Sequence, residues 1–236
     1  MPAPAKGLCD RLQLEIPAPL LAESLTHRSY AYENGALQPN ERLEFLGDAV
    51  LGLIVTDALF QRNPDLPEGN LAKMRAALVS SKALAGVARE IGLGDYLLLG
   101  KGEKASGGSA KSSILADGLE AVIGAAYLGC GQQATTAMVH RLLDDHIARI
   151  ERLGAGLDWK TSLQERTSQL DLGVPHYLVD GAGPDHNRRF TASVQLADGT
   201  YGHGVGPTKK EAEQEAARST FRELESRARN PKGQSQ

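Results

Sequence analysis

Cysteine is nearly missing: Cys9 and Cys130 are the only two in 236 residues. They have neither metal-ligand spacing nor a cysteine-rich context, which argues against a zinc site or a disulfide framework and leaves two free thiols. Also missing is any run of eighteen or more apolar residues. Stretches such as Ala49 to Ile54 are soon broken by Asp57, and the N-terminus lacks the charged-then-apolar order of a signal peptide. The expectation is a cytoplasmic protein with no membrane partner. A cationic excess is absent too, with 26 Lys and Arg against 29 Asp and Glu, net charge −3 and pI near 6.1. Residues 1–157 carry 15 basic and 18 acidic side chains, and 158–236 carry 11 of each. Neither half is a polycation, so binding to a nucleic acid has to come from local placement of charge.

What is present, 41% hydrophobic and 23% charged residues, describes an ordinary globular chain long enough for two domains. From Leu20 to about Leu153 apolar residues recur at three and four positions with little strand-like alternation, broken at Pro39-Asn40, Pro64 to Pro67 and Ala105 to Gly108. This predicts an all-α domain over 1–152. The small residues of 153–157 predict a flexible linker. Beyond it come a helix over about Lys160 to Gln169, a strand at Tyr177 to Val179, and a run in which Phe190, Ala192, Val194 and Leu196 alternate with polar residues. Asp198-Gly199 marks a hairpin turn, Tyr201 to Val205 a third strand, and Thr208 with Glu211 a capping box opening a last helix. Ala212, Ala216, Ala217, Phe221 and Leu224 form its stripe toward the sheet. The expected architecture is multidomain: all-α, then a small α+β domain of order α-β-β-β-α over 158–226, then a disordered tail over 227–236.

Two helices carry acids among apolar residues. On Glu41 to Phe60, apolar side chains point to nearly every side, which predicts a helix buried all round. At about 100° per residue, Glu41, Glu44 and Asp48 fall at roughly 0°, 300° and 340°, one narrow stripe. On Ile114 to Leu128, Asp117 and Glu120 again share a face. Clustered carboxylates in a partly buried setting need cationic compensation. Hard oxygen ligands suit Mg²⁺ or Mn²⁺, which points to a divalent-metal phosphodiesterase; the alternative is pairing with Arg28, Arg42 or Lys111. At the far end, Lys209 and Lys210 occupy the first turn of the last helix, where cations are disfavoured unless something anionic joins them. A phosphate backbone would do so; two solvated lysines are the alternative.

The segment Asn40-Glu41-Arg42-Leu43-Glu44-Phe45-Leu46-Gly47-Asp48-Ala49-Val50-Leu51 resembles the signature of bacterial ribonuclease III. Thr26-His27-Arg28-Ser29-Tyr30 upstream and Lys111 to Ala121 downstream follow in that family's order. The resemblance spans nearly the whole chain. It implies that Glu44, Asp48, Asp117 and Glu120 bind the metal, with Asp48 and Glu120 catalytic, and that Glu41 and Glu68 are secondary acidic positions. The metal would lower the pKa of an attacking water, hold the scissile phosphate of double-stranded RNA and neutralise charge on the leaving 3′ oxygen, giving 5′-phosphate and 3′-hydroxyl ends. No organic cofactor is implied. A homodimer is, with Phe45, exposed on the signature helix beside the acids, inserting into the partner subunit and each subunit cutting one strand; ordinary core packing is the alternative for Phe45.

Gly204 to Glu213 resembles the closing motif of double-stranded-RNA-binding domains, and Lys160 to Glu165 and Gly183-Pro184-Asp185-His186 resemble their other contacts. The resemblance assigns Thr161, Gln164, Glu165, His186, Thr208, Lys209 and Lys210 to RNA, reading A-form shape more than sequence. His186 could otherwise be a plain turn residue, and Trp159 reads as packing at the domain start. The alternation Gly202-x-Gly204-x-Gly206 follows a hairpin strand and is no dinucleotide fingerprint. The overall expectation is an endoribonuclease processing ribosomal and other structured transcripts. Two competing classes are a binding protein that has lost its chemistry, against which the retained acids argue, and a helical metallophosphohydrolase, whose adjacent His-Asp pair occurs nowhere.

Overall fold

The structure, a computed structural model, describes residues 3–35, 37–153, 158–184, 188–199 and 201–229. Helices α1 (Ala3–Leu12), α2 (Ala18–Ser24), α3 (Arg28–Asn34), α4 (Glu41–Arg62), α5 (Glu68–Leu78), α6 (Ser81–Glu90), α7 (Lys101–Ala105) and α8 (Ser112–Leu153) come first. After them come α9 (Trp159–Gln169), β1 (His176–Ala182), β2 (Arg189–Gln195), β3 (Tyr201–Gly206) and α10 (Lys209–Arg229). The chain divides into two compact units, the second holding Gly156–Gln236. The fold class is the one expected, an all-α unit and an α-β-β-β-α unit.

The core of the first unit lies between α4, α6, α2 and α8. Leu115, Leu119, Val122 and Ile123 of α8 and Val50, Leu51, Ile54 and Val55 of α4 are buried, each large side chain contributing about 1.5–3 kcal/mol by leaving water. Helix α8 is much longer than the Ile114–Leu128 segment expected and is broken at Gly131, whose φ of 80° and ψ of 170° leave the helical region. It runs through Leu153, the first residue of the expected linker; 154–157 lie outside the described residues. By length and composition Ser112–Glu151 could cross a membrane, but most of its apolar stretch is buried, as in a core helix.

Helix α4 departs from the expectation that it is buried all round. Leu43, Val50, Leu51, Ile54, Val55 and Leu59 face the core, whereas Phe45 is 81% exposed, Leu53 61% and Phe60 64%. With Ala49 these form one apolar stripe on the open side, next to the acids, because a single unit supplies neighbours for only one face of the helix. Core packing of Phe45 is therefore excluded.

In the second unit the strands form an antiparallel sheet in the order β1-β2-β3, with Val179 opposite Ala192 and Ala192 opposite Gly204. The alternation is as read: Ala192, Val194 and Leu196 are buried. Gly199 takes the left-handed conformation at the β2–β3 turn (φ 82°). Thr208 Oγ1 accepts the Glu211 amide at 3.2 Å, the N-cap half of the expected box. Ala212, Ala216, Ala217, Phe221 and Leu224 are all buried. The glycine alternation has its reason here: a Cβ on Gly204 would collide with the α10 backbone at Ala212 and Ala216, and one on Gly206 with Ala212. Helix α10 continues to Arg229, past the start of the expected tail at 227, since Arg227 pairs with Glu223 at 2.6 Å and Asp198 at 3.7 Å; residues 230–236 lie outside the described residues.

Candidate metal centre and nucleic-acid interface

Helices α4 and α8 meet backbone to backbone at two glycines. A Cβ on Gly47 would overlap the Glu120 carbonyl, and one on Gly124 the Leu43 carbonyl. Gly47 lies three residues after Glu44, and Gly124 four after Glu120, so this close crossing carries the acids of one helix to those of the other. Carboxylate oxygens of Glu44, Asp117 and Glu120 lie within 4.8 Å of one another, each residue half-buried. Asp48 is exposed and stands outside this trio, although its charge still acts on Glu120.

The electrostatics are those of an anionic cluster compensated only in part. Burial first, then the charges of Asp48, Asp117 and Glu44, pushes Glu120 up to about 7. Burial, then Asp117 and Glu41, raises Glu44; burial raises Asp117, with His27 and Arg28 working in the opposite direction. The alternative pairing is met only in part, at Glu41. Lys111 binds Glu103 at 2.5 Å, and Arg28 lies 3.7 Å from Glu41 in a mostly exposed pair. Among the described residues, Glu44, Asp48, Asp117 and Glu120 form no ion pair with Lys or Arg. Three converging carboxylates held at such cost, all hard oxygen donors, fit a divalent cation of the magnesium kind.

Beside the trio opens a cleft of about 480 Å³, with Glu41, Glu44 and Asp117 among its acidic lining and His27, Arg28 and Lys111 among its basic lining. Glu68 starts α5, is exposed and takes no part in this lining. Motif reading quoted His27 without giving it a role. Its Nδ1 accepts the Ser29 amide at 3.2 Å, capping α3, and lies 2.8 Å from Ser29 Oγ. Burial holds its pKa below the usual value. Gly47 and Gly124 were missed as well; the available signal was a glycine near the acids on each of two apolar helices.

In the second unit, Thr161, Gln164 and Glu165 are exposed at one-turn spacing on α9, and Thr208, Lys209 and Lys210 are exposed at the start of α10. Thr161 Oγ1 also donates to the Asp158 carboxylate at 2.8 Å. Helices α9 and α10 are tied by Gln214 to Asp158 (2.9 Å) and Lys160 to Glu213 (2.8 Å). His186 lies outside the described residues. Trp159 is buried against Phe221, ring centroids 5.8 Å apart, and offers no stacking platform.

Comparison with known proteins agrees on both units. The family described as ribonuclease-III-like matches residues 17–147, and the double-stranded RNA binding motif matches 159–224. Ribonuclease 3 of Thermobifida fusca (strain YX) is 56% identical over 99% of this chain and 98% of its own length. Ribonuclease 3 of Streptomyces coelicolor is 58% identical over 92% of this chain and 79% of its own. A solved nuclease domain of ribonuclease III from Campylobacter jejuni, described for flexibility in a region involved in dimer formation, is 42% identical with a TM-score of 0.56. That match covers 59% of this chain and 96% of the solved one.

Proposed function

The chain belongs to the ribonuclease III family, and from that premise we propose that it is a magnesium-dependent endonuclease of double-stranded RNA, acting as a homodimer. The observation that carries this reading is the convergence of Glu44, Asp117 and Glu120 from two helices, with no ion pair from any of them to Lys or Arg among the described residues. These three, with Asp48 beside them, would hold Mg²⁺, and Mn²⁺ would substitute. When bound, Mg²⁺ supplies an acidified water near neutral pH and positive charge for the phosphate. The residues do the rest. Glu120, its pKa pushed up to about 7 by burial and the neighbouring acids, would hold the cation in its deprotonated form. The pairs Lys111–Glu103 and Arg28–Glu41 keep basic groups at the cleft without ion-pairing to Glu44, Asp117 or Glu120.

Thr161, Gln164 and Glu165 would meet the minor groove while Lys209 and Lys210 grip phosphates, with His186 as a further contact. The Phe45, Ala49, Leu53 and Phe60 stripe supports the dimer, since an apolar surface open to water is stabilised by a second copy and lies next to the acids. Two such sites would cut both strands, leaving 5′-phosphate and 3′-hydroxyl ends and a short 3′ overhang. Processing of ribosomal and other structured transcripts in the cytoplasm is the proposed setting.

The test is incubation of a long perfect duplex with the protein in Mg²⁺, in Ca²⁺ and in chelator, reading ends and binding. Cleavage with Mg²⁺ alone and binding retained in Ca²⁺ is expected. Binding without cleavage under every metal overturns the nuclease reading in favour of a binding protein.

A further inference from the structure

We propose that His27 is a substrate-contacting residue of the cleft, its neutral imidazole donating Nε2–H to a phosphodiester oxygen of the strand being cut. The inference rests on the nuclease reading above and adds to it a residue outside the acid cluster. Its basis is the tautomer. A backbone amide can only donate, so the nitrogen that receives the Ser29 N–H, Nδ1, carries a lone pair. Ser29 Oγ, which accepts the Gly100 amide at 2.9 Å, lies 2.8 Å from the same Nδ1 and is free to donate its hydroxyl proton there. The neutral ring therefore bears its proton on Nε2. Among the described residues that nitrogen has no hydrogen-bond partner, although the residue lines the cleft beside Asp117.

The donor is also held in place. The His27 amide bonds to the Leu98 carbonyl at 3.1 Å, and the Leu98 amide bonds to Leu25 at 2.8 Å. Ser29 Oγ clamps the ring to the Gly100 segment from the other side. A fixed neutral donor beside clustered acids can bind an anionic oxygen without competing, as a full positive charge would, for the carboxylates that hold the cation. Capping of α3 uses Nδ1 alone, so it accounts for only half of the side chain.

That division supplies the experiment. His27→Asn keeps a cap acceptor for the Ser29 amide and removes the Nε2 donor, whereas His27→Ala removes both. The expected result for His27→Asn is an unchanged unfolding midpoint and unchanged duplex binding in Ca²⁺, with kcat lowered about 10- to 100-fold in Mg²⁺. A phosphorothioate at the scissile phosphate, each isomer assayed in Mn²⁺ so that a softer cation tolerates the sulfur, should in one isomer slow the wild type but add little to the Asn variant, because both remove the same contact. Wild-type kcat in the Asn variant, or fully multiplicative effects of the variant and the phosphorothioate, overturns the proposal and leaves His27 as a helix cap. If the Asn variant unfolds, His27→Ser, another capping residue, is read by the same criteria. Failure of the wild type to cleave would instead count against the nuclease reading itself.

Discussion

The two units place functional groups in opposite ways. In the helical unit the proposed chemistry sits where α4 and α8 cross: Glu44, Asp117 and Glu120 are half-buried and mutually repelling, and Glu44 lies 73 positions before the nearer of the other two in the chain. In the α+β unit, Thr208, Lys209 and Lys210 are exposed neighbours at one helix start, and Thr161, Gln164 and Glu165 occupy a single turn of α9. A centre of the first kind depends on tertiary packing to better than an ångström; one of the second kind needs only its own helix and a stable platform beneath it. The proposed nuclease centre should therefore respond steeply to packing and pH, and the proposed RNA-facing surface to salt.

The largest effect expected is from Glu120→Gln, which removes one of the three converging carboxylates at nearly constant volume. Cleavage should fall on the order of 10³-fold or more, with duplex binding in Ca²⁺ unchanged by mobility shift; near-normal turnover would dissolve the contrast between the units. Next is Gly124→Ala, whose new methyl meets the Leu43 carbonyl. Forcing the helices apart should cost about 1–3 kcal/mol of stability and weaken Mg²⁺ binding, measured by urea unfolding and titration calorimetry. Gly129→Ala, which presses on Pro17 instead, is the control that should lose stability without the same loss of metal.

Smaller, and confined to the second unit, is the double change Lys209→Ala with Lys210→Ala. Duplex affinity should fall roughly tenfold at moderate salt, and the slope of log K against log salt should drop by about two, with kcat at saturating RNA preserved. A change in kcat would mean that the units are not separable in this way. The smallest effect concerns pH. Glu120 has a folded pKa of about 7, above its ordinary 4.5, so the folded state prefers the protonated form. Its contribution to stability is fully present below about 4.5 and is lost as the pH rises through 7. In chelator, the stability difference between wild type and Glu120→Gln should therefore widen, with the wild type lower, from pH 5 to pH 8 by urea unfolding; Mg²⁺ should narrow it. A difference independent of pH would contradict the buried-acid account.

Much of this was legible without coordinates where the information is local. The alternation of Ala192, Val194 and Leu196, the turn at Asp198-Gly199 and the Thr208 cap all form as read, because period and turn chemistry act over a few residues. On helix α4 the resemblance set Phe45 on an exposed face, as found, but apolar residues on every side do not say which neighbours exist, and Leu53 and Phe60 are mostly exposed as well. Lys111 was considered as a partner for the clustered acids and instead binds Glu103, a choice made by a loop whose path no periodicity encodes.

By itself the sequence determined the order of the two units, the spacing that puts Glu44 with Asp48 and Asp117 with Glu120 on shared helix faces, and the exposed lysines of α10, all consequences of helix and strand periods acting along a covalent chain. Only the tertiary structure decided that Glu44, Asp117 and Glu120 converge while Asp48 stands aside, that Glu120 is pushed up to about 7, and that His27 turns Nδ1 to Ser29. Those depend on how closely two glycines let α4 and α8 approach and on how much water that approach excludes, quantities set by contacts between residues far apart in the chain.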